Sequence, residues 1–140
     1  MATQIKYLLL LVVVLGMISP VFAADCACTD SMTEDCTQVA NLDCSANDLV
    51  TNEFTWTGAE YNISWNSVTI SEAGTYNVAS GNITVVGTTY VFGTLTAGSG
   101  SHSFSSGLRA YGIRVETTGT FIGGTGDHTM SSLRIAGDCT

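Results

Sequence analysis

Beyond Pro20 the chain contains no proline, and beyond Lys6 its only cations are Arg109, Arg114 and Arg134. A nucleic-acid binder displaces phosphate counterions with a cationic footprint. Three arginines in a chain of net charge −8 do not make one, so nucleic acid is excluded as a partner. Charged residues are only 11% of the total, against roughly 25% in an ordinary globular chain. No segment after the N-terminal region holds a three-to-four-residue apolar periodicity with caps, so no helix is expected there. Nucleophile motifs, phosphate loops and paired His-Glu metal signatures are also missing. What is plentiful is Gly, Ser, Thr and Asn interleaved with Val, Ile, Tyr and Phe, a mixture that suits short strands and tight turns. The 140 residues allow one domain.

The chain repeats itself. Gly93-Thr94-Leu95-Thr96-Ala97-Gly98-Ser99-Gly100-Ser101-His102 is written again as Gly119-Thr120-Phe121-Ile122-Gly123-Gly124-Thr125-Gly126-Asp127-His128. Ser106-Gly107-Leu108-Arg109 then aligns with Ser132-Leu133-Arg134 across a one-residue gap at Gly107. A weaker copy begins at Gly74. Starts at 74, 93 and 119 lie in the range of one coil of a solenoid. The fold expected is therefore all-β, a parallel β-helix or β-solenoid.

At the N-terminus, Lys6 precedes the apolar run Tyr7–Ile18, then Ser19-Pro20 and Val21-Phe22-Ala23. These are the three regions of a secretory signal peptide, residues 1–23, cleaved after Ala23. An uncleaved anchor is the competing reading, and the run is shorter than the roughly 20 residues a spanning helix needs. No membrane span is expected in the mature chain. Residues 24–52 hold Cys26, Cys28, Cys36 and Cys44 among acidic and small polar residues, which in an exported protein reads as a disulfide-tied cap. A thiolate metal site is the sharper alternative, but no His lies nearby and the spacing is not that of paired knuckles. Cys139 makes the count odd, and the pairing is left open by the sequence.

From residue 53 to 140 the pattern is strand-like. Phe54 and Trp56, then Tyr61, Ile63 and Trp65, alternate with polar residues. The aromatic cluster reads as a plug over the open first coil, with a sugar platform at Trp56 and Trp65 as the alternative. Apolar pairs follow as Val68/Ile70, Tyr76/Val78, Ile83/Val85 and Tyr90/Phe92, then Leu95, Phe104, Leu108, Ile113/Val115, Phe121, Met130 and Leu133/Ile135. All are expected inside the coils.

His102 and His128 hold one place in both strong copies; a surface or turn ladder is expected, with a shared metal or acid–base pair as the alternative. Gly123–Met130 resembles the calcium-binding nonapeptide of repeat-in-toxin proteins, yet His128 stands where the ligand Asp belongs, so the glycines are assigned to corners with positive φ. Asn62-Ile63-Ser64 and Asn82-Ile83-Thr84 are glycosylation sequons. Glu116 and Asp127 are the carboxylates that enzymatic catalysis would have to use, and nothing in the spacing pairs them. No catalytic residue, metal or cofactor is assigned.

The repeat unit, Gly-Thr-apolar followed by paired glycines and Ser-Ser-x-Leu, resembles the β-solenoid repeats of large prokaryotic surface proteins, including adhesin and autotransporter stalks and pectin-lyase-like parallel β-helices. The resemblance covers residues 66–138 and its motifs are generic to the architecture. It implies an exported, non-enzymatic structural or adhesive segment, secreted or at the cell surface, presenting a rigid rod. Two other readings stand beside it. One is a carbohydrate-binding or carbohydrate-active β-helix, as in a polysaccharide lyase or glycoside hydrolase; the other is a small secreted disulfide-tied protein that self-assembles. The partners expected are further coils of a longer chain, other copies, or extracellular glycans. Since Leu133-Arg134-Ile135 enters a new coil just before Thr140, the solenoid is expected to be incomplete at that end and to associate there.

Overall fold

The computed structural model describes residues 23–105 and 112–140. The signal-peptide assignment, apart from Ala23, and the assignments of Leu108 and Arg109 lie outside the described residues. The described chain contains fifteen strands and no helix: β1 Ala24–Asp25, β2 Cys36–Thr37, β3 Leu42–Val50, β4 Thr55–Gly58, β5 Ile63–Ile70, β6 Thr75–Val78, β7 Ile83–Val85, β8 Thr89–Val91, β9 Thr94–Ala97, β10 His102–Phe104, β11 Ile113–Val115, β12 Thr120–Gly123, β13 His128–Met130, β14 Leu133–Ile135 and β15 Asp138–Cys139. Among the described residues no helix is long and apolar enough to cross a membrane.

Every strand pairing is parallel, and each links one coil to the next. The first sheet runs β1-β2-β4-β6-β9-β12-β15, and the second β13-β10-β7-β5-β8-β11-β14 with β3 on β5. β3 and β5 each run along two faces. The Ile63–Trp65 half of β5 pairs with β7, and its Val68–Ile70 half with β8. The chain is therefore a β-solenoid of about five coils, in which the backbone of one coil supplies the hydrogen-bond partners of the next.

Alternation along each short strand turns one row inward, and coil-to-coil register stacks these rows into columns. One column is Cys36, Trp56, Tyr76, Leu95, Phe121 and Cys139. A second is Cys44, Trp65, Val85, Phe104 and Met130. Trp56 and Trp65 are fully buried and meet edge to face at 5.2 Å, Trp56 stacks on Tyr76 at 5.8 Å, and the Trp65 indole N–H donates to the Tyr76 hydroxyl at 3.0 Å. Burial pushes the Tyr76 phenol well above its ordinary pKa, and the Trp65 bond offsets part of that.

The coil register refines the N-terminal segment and corrects four expectations. The disulfide-bearing N-terminal segment is built into the solenoid: β2 and β3 hydrogen-bond into the two sheets and Cys44 sits in the core column above Trp65. The aromatics are the filling of the second and third coils rather than a plug over the first. Tyr90 and Phe92 face outward and are each 37% exposed, because β8 pairs Thr89 with Val68 and Val91 with Ile70; a shift of one residue exchanges the faces of a strand. Leu133 and Arg134 pair with Ile113 and Arg114 rather than with Leu108 and Arg109. Both Ile113 and Val115 can enter the core beside Val91, an inward pair that the Ser-Ser-x-Leu-Arg likeness does not supply. Finally, no described glycine has positive φ; Asn52, at 53°, is the described residue that does. A Cβ on Gly98 would collide with the Ala79 carbonyl oxygen, and one on Gly126 with that of Gly100. These glycines are needed because consecutive coils touch backbone to backbone, and not for their φ freedom.

Candidate functional site

Two disulfides tie the first coil: Cys26–Cys36 and Cys28–Cys44. Those four sulfurs are thus not metal thiolates. Cys139 is free and exposed on β15, stacked in register on Phe121. The same coil is pinned by side chains. Asp30 accepts from the Asn47 amide and the Asp48 N–H, and the Asn52 amide donates to Ser31 Oγ and the Met32 carbonyl.

The tryptophans offered as a sugar platform present no ring face to solvent, since both are fully buried. The sequon asparagines are exposed and belong to a ladder that sequence reasoning did not find. Asn41 Oδ1 accepts from the Asn62 N–H at 2.8 Å, Asn62 Oδ1 from the Asn82 N–H at 3.0 Å, and Asn82 Oδ1 from the Ser101 N–H at 2.7 Å. Each satisfies a backbone donor just before an inward strand begins. The readable signal was Asn followed by a branched apolar residue at Asn41-Leu42, Asn62-Ile63 and Asn82-Ile83.

His102 and His128 are register partners whose rings stack at 5.1 Å and 19°. They are not a surface ladder. Ser103 pairs with Thr84, so His102 follows Ile83, Ile63 and Leu42 in an inward column, and it is buried. His102 Nδ1 accepts weakly from the Ile83 N–H at 3.4 Å, while both His128 nitrogens are buried without a hydrogen-bond partner. Burial, with the neighbouring His128, lowers the His102 pKa, and a backbone bond at Gly98 opposes them. No cluster of three or more His, Cys, Asp or Glu suited to a metal occurs among the described residues. Glu116 follows β11 and is ion-paired with Arg114, whereas the exposed Asp127 precedes β13 and its carbonyl accepts the His102 N–H.

A regular surface feature is the outer face of the first sheet. Thr55, Thr75, Thr94 and Thr120 form one outward column in strand register, and Thr57, Asn77, Thr96 and Ile122 form a second two residues along. All eight are partly or fully exposed, while Trp56, Tyr76, Leu95 and Phe121 between them are buried. The Gly-Thr opening of each copy is legible in the sequence, but not that its threonines line up outside. Thr55-Trp56-Thr57 and Thr94-Leu95-Thr96 were the available signal. The faces of the second sheet differ. Ser64, Thr84, Ser103 and Thr129 make one column there, and Thr69, Tyr90, Arg114 and Arg134 make another that carries charge.

No protein-family model, curated protein or solved structure matches the chain.

Proposed function

We propose that the chain is an exported, non-enzymatic structural segment that holds a rigid β-solenoid outward at the cell surface. The observation that supports this most is the pair of disulfides closing the first coil of a continuous, densely filled stack. Structural disulfides persist in oxidising compartments, and parallel coils that share one core resist bending without needing a ligand. The test is fractionation of the host cells with N-terminal sequencing and thiol titration. Surface or medium protein beginning at Ala24 with one reactive thiol is expected. Cytosolic protein beginning at Met1 with all its thiols reactive would reject the reading.

A self-assembling secreted subunit is the second reading, favoured by the last coil, where Leu133 and Ile135 are 42% and 46% exposed and Cys139 is free. Apolar strand edges of this kind pair with other chains. Light scattering of residues 24–140 in reducing buffer should then show mass rising with concentration. A strictly monomeric, cooperatively melting sample would reject it.

A further inference from the structure

We propose that the outer face of the first sheet is an ice-binding plane, whose ligand is the ordered water of a growing ice crystal. This role goes beyond that of a structural rod and does not depend on where the protein is displayed.

Neighbouring strands of a parallel sheet lie about 4.8 Å apart, and residues i and i+2 of one strand are separated by about 6.6 Å. The columns Thr55, Thr75, Thr94, Thr120 and Thr57, Asn77, Thr96, Ile122 therefore form a two-dimensional net in which six of the eight side chains carry a hydroxyl, Asn77 is an amide and the exposed Ile122 is apolar. Its spacing along the rod is close to an oxygen repeat of hexagonal ice. On the second sheet the column Ser64, Thr84, Ser103 and Thr129 has a polar neighbour two residues back, but that neighbour is Asn62, Asn82, Ser101 and Asp127, two amides and a serine ending in a carboxylate, and the remaining column carries arginines, so neither is a neutral net of hydroxyls.

Side-chain chemistry favours the same ligand. Threonine carries a hydroxyl that joins a water network beside a methyl that cannot, and its branched Cβ holds χ1 stiffly. The net is backed by closely packed rings, Trp56 stacked on Tyr76 among them, so it has little freedom to lose on binding. Single hydroxyl–water contacts are weak, but a rigid array engages many at once, and later contacts are made at high effective concentration.

Charge and shape exclude the competitors. Between Asp35, whose carboxylate accepts the Thr55 N–H at 2.7 Å, and Asp138, paired with Thr120, the two columns hold no charged residue. In a chain of net charge −8 this is a neutral plane, unsuited to ions, anionic polymers or membranes. Small soluble ligands prefer concave sites, and a cavity of about 150 Å³ lies away from this face at the N-terminal end, beside Met32 and Cys36. Crystalline polysaccharide is the other neutral, repeating solid, and sugar rings are held by exposed aromatics. On this face the aromatics point inward.

The test uses the secreted full chain with its disulfides formed. Thermal hysteresis and ice-crystal shaping are measured by microscopy for the wild type, Thr94→Tyr, Thr96→Lys and, on the second sheet, Thr84→Tyr. Circular dichroism and melting are recorded for each. Faceted ice with hysteresis is expected from the wild type and from Thr84→Tyr, with hysteresis about tenfold weaker in the two face variants at unchanged melting temperature. If one face variant misfolds, the other decides. Round, unshaped crystals at millimolar wild type, equal activity in all variants, or equal loss in Thr84→Tyr would each overturn the proposal. So would retention on cellulose or chitin with no effect on ice.

Discussion

His102 and His128 stack face to face at 5.1 Å inside the solenoid, continuing a column that the earlier coils fill with Ile63 and Ile83. Two imidazoles replace aliphatic side chains in the fourth and fifth coils. His102 cannot ionise there without bringing charge into a buried position beside a second imidazole.

Acid should therefore loosen the later coils first. The folded His102 pKa lies below its unfolded value of about 6.5, so the unfolded chain binds more protons as pH falls through that value. The contribution is present above pH 6.5 or so and is lost progressively below it. Melting temperature should fall between neutral pH and about pH 5, and His102→Leu should flatten that fall. An unchanged slope in the variant would show that His102 does not control it.

Disulfide pairing sets a second expectation. Titration of the denatured, unreduced protein should find one thiol, Cys139, and all five cysteines after reduction. Replacing Cys28 and Cys44 together by Ser opens a loop of sequence separation 16 and should cost about 3 kcal/mol in urea unfolding. A loss under about 0.5 kcal/mol would show that the first coil is held without that bridge.

Tyr76→Phe removes the acceptor of the Trp65 indole and leaves a buried N–H unpaired. The cost expected is about 1–3 kcal/mol, with the fold intact. Urea denaturation followed by tryptophan fluorescence measures it, since both tryptophans lie within contact range of the change.

Two glycines on adjacent coils, Gly98 just after β9 and Gly123 at the end of β12, should respond differently to alanine. Gly98→Ala drives a methyl into backbone carbonyls of the preceding coil and should destabilise by about 1–3 kcal/mol or more. At Gly123 the nearest atoms to a new Cβ are 3.6 to 3.8 Å away, so Gly123→Ala should be tolerated. Comparable losses in both variants, measured by thermal melting, would reject backbone contact as the reason for the glycines.

The sequence by itself determined the architecture and much of its register. The agreement between Gly93–His102 and Gly119–His128 survives as strand pairing, including His102 on His128 and Thr94 on Thr120. Such a repeat is legible because each coil must present the same inward and outward alternation to the next. The tertiary structure decided which way each residue faces and what the glycines are for. Tyr90 faces out and Thr89 faces in because β8 answers the register of β5, a partner far away in the chain. Leu133 pairs with Ile113 because the core accepts an inward pair beside Val91, whatever local likeness Leu108 offers. His102 is buried because its column begins at Leu42, and the threonines form a net because coils stack in register. A period read along the chain carries spacing; facing, contact and the flatness of a surface arise only when the coils close on one another.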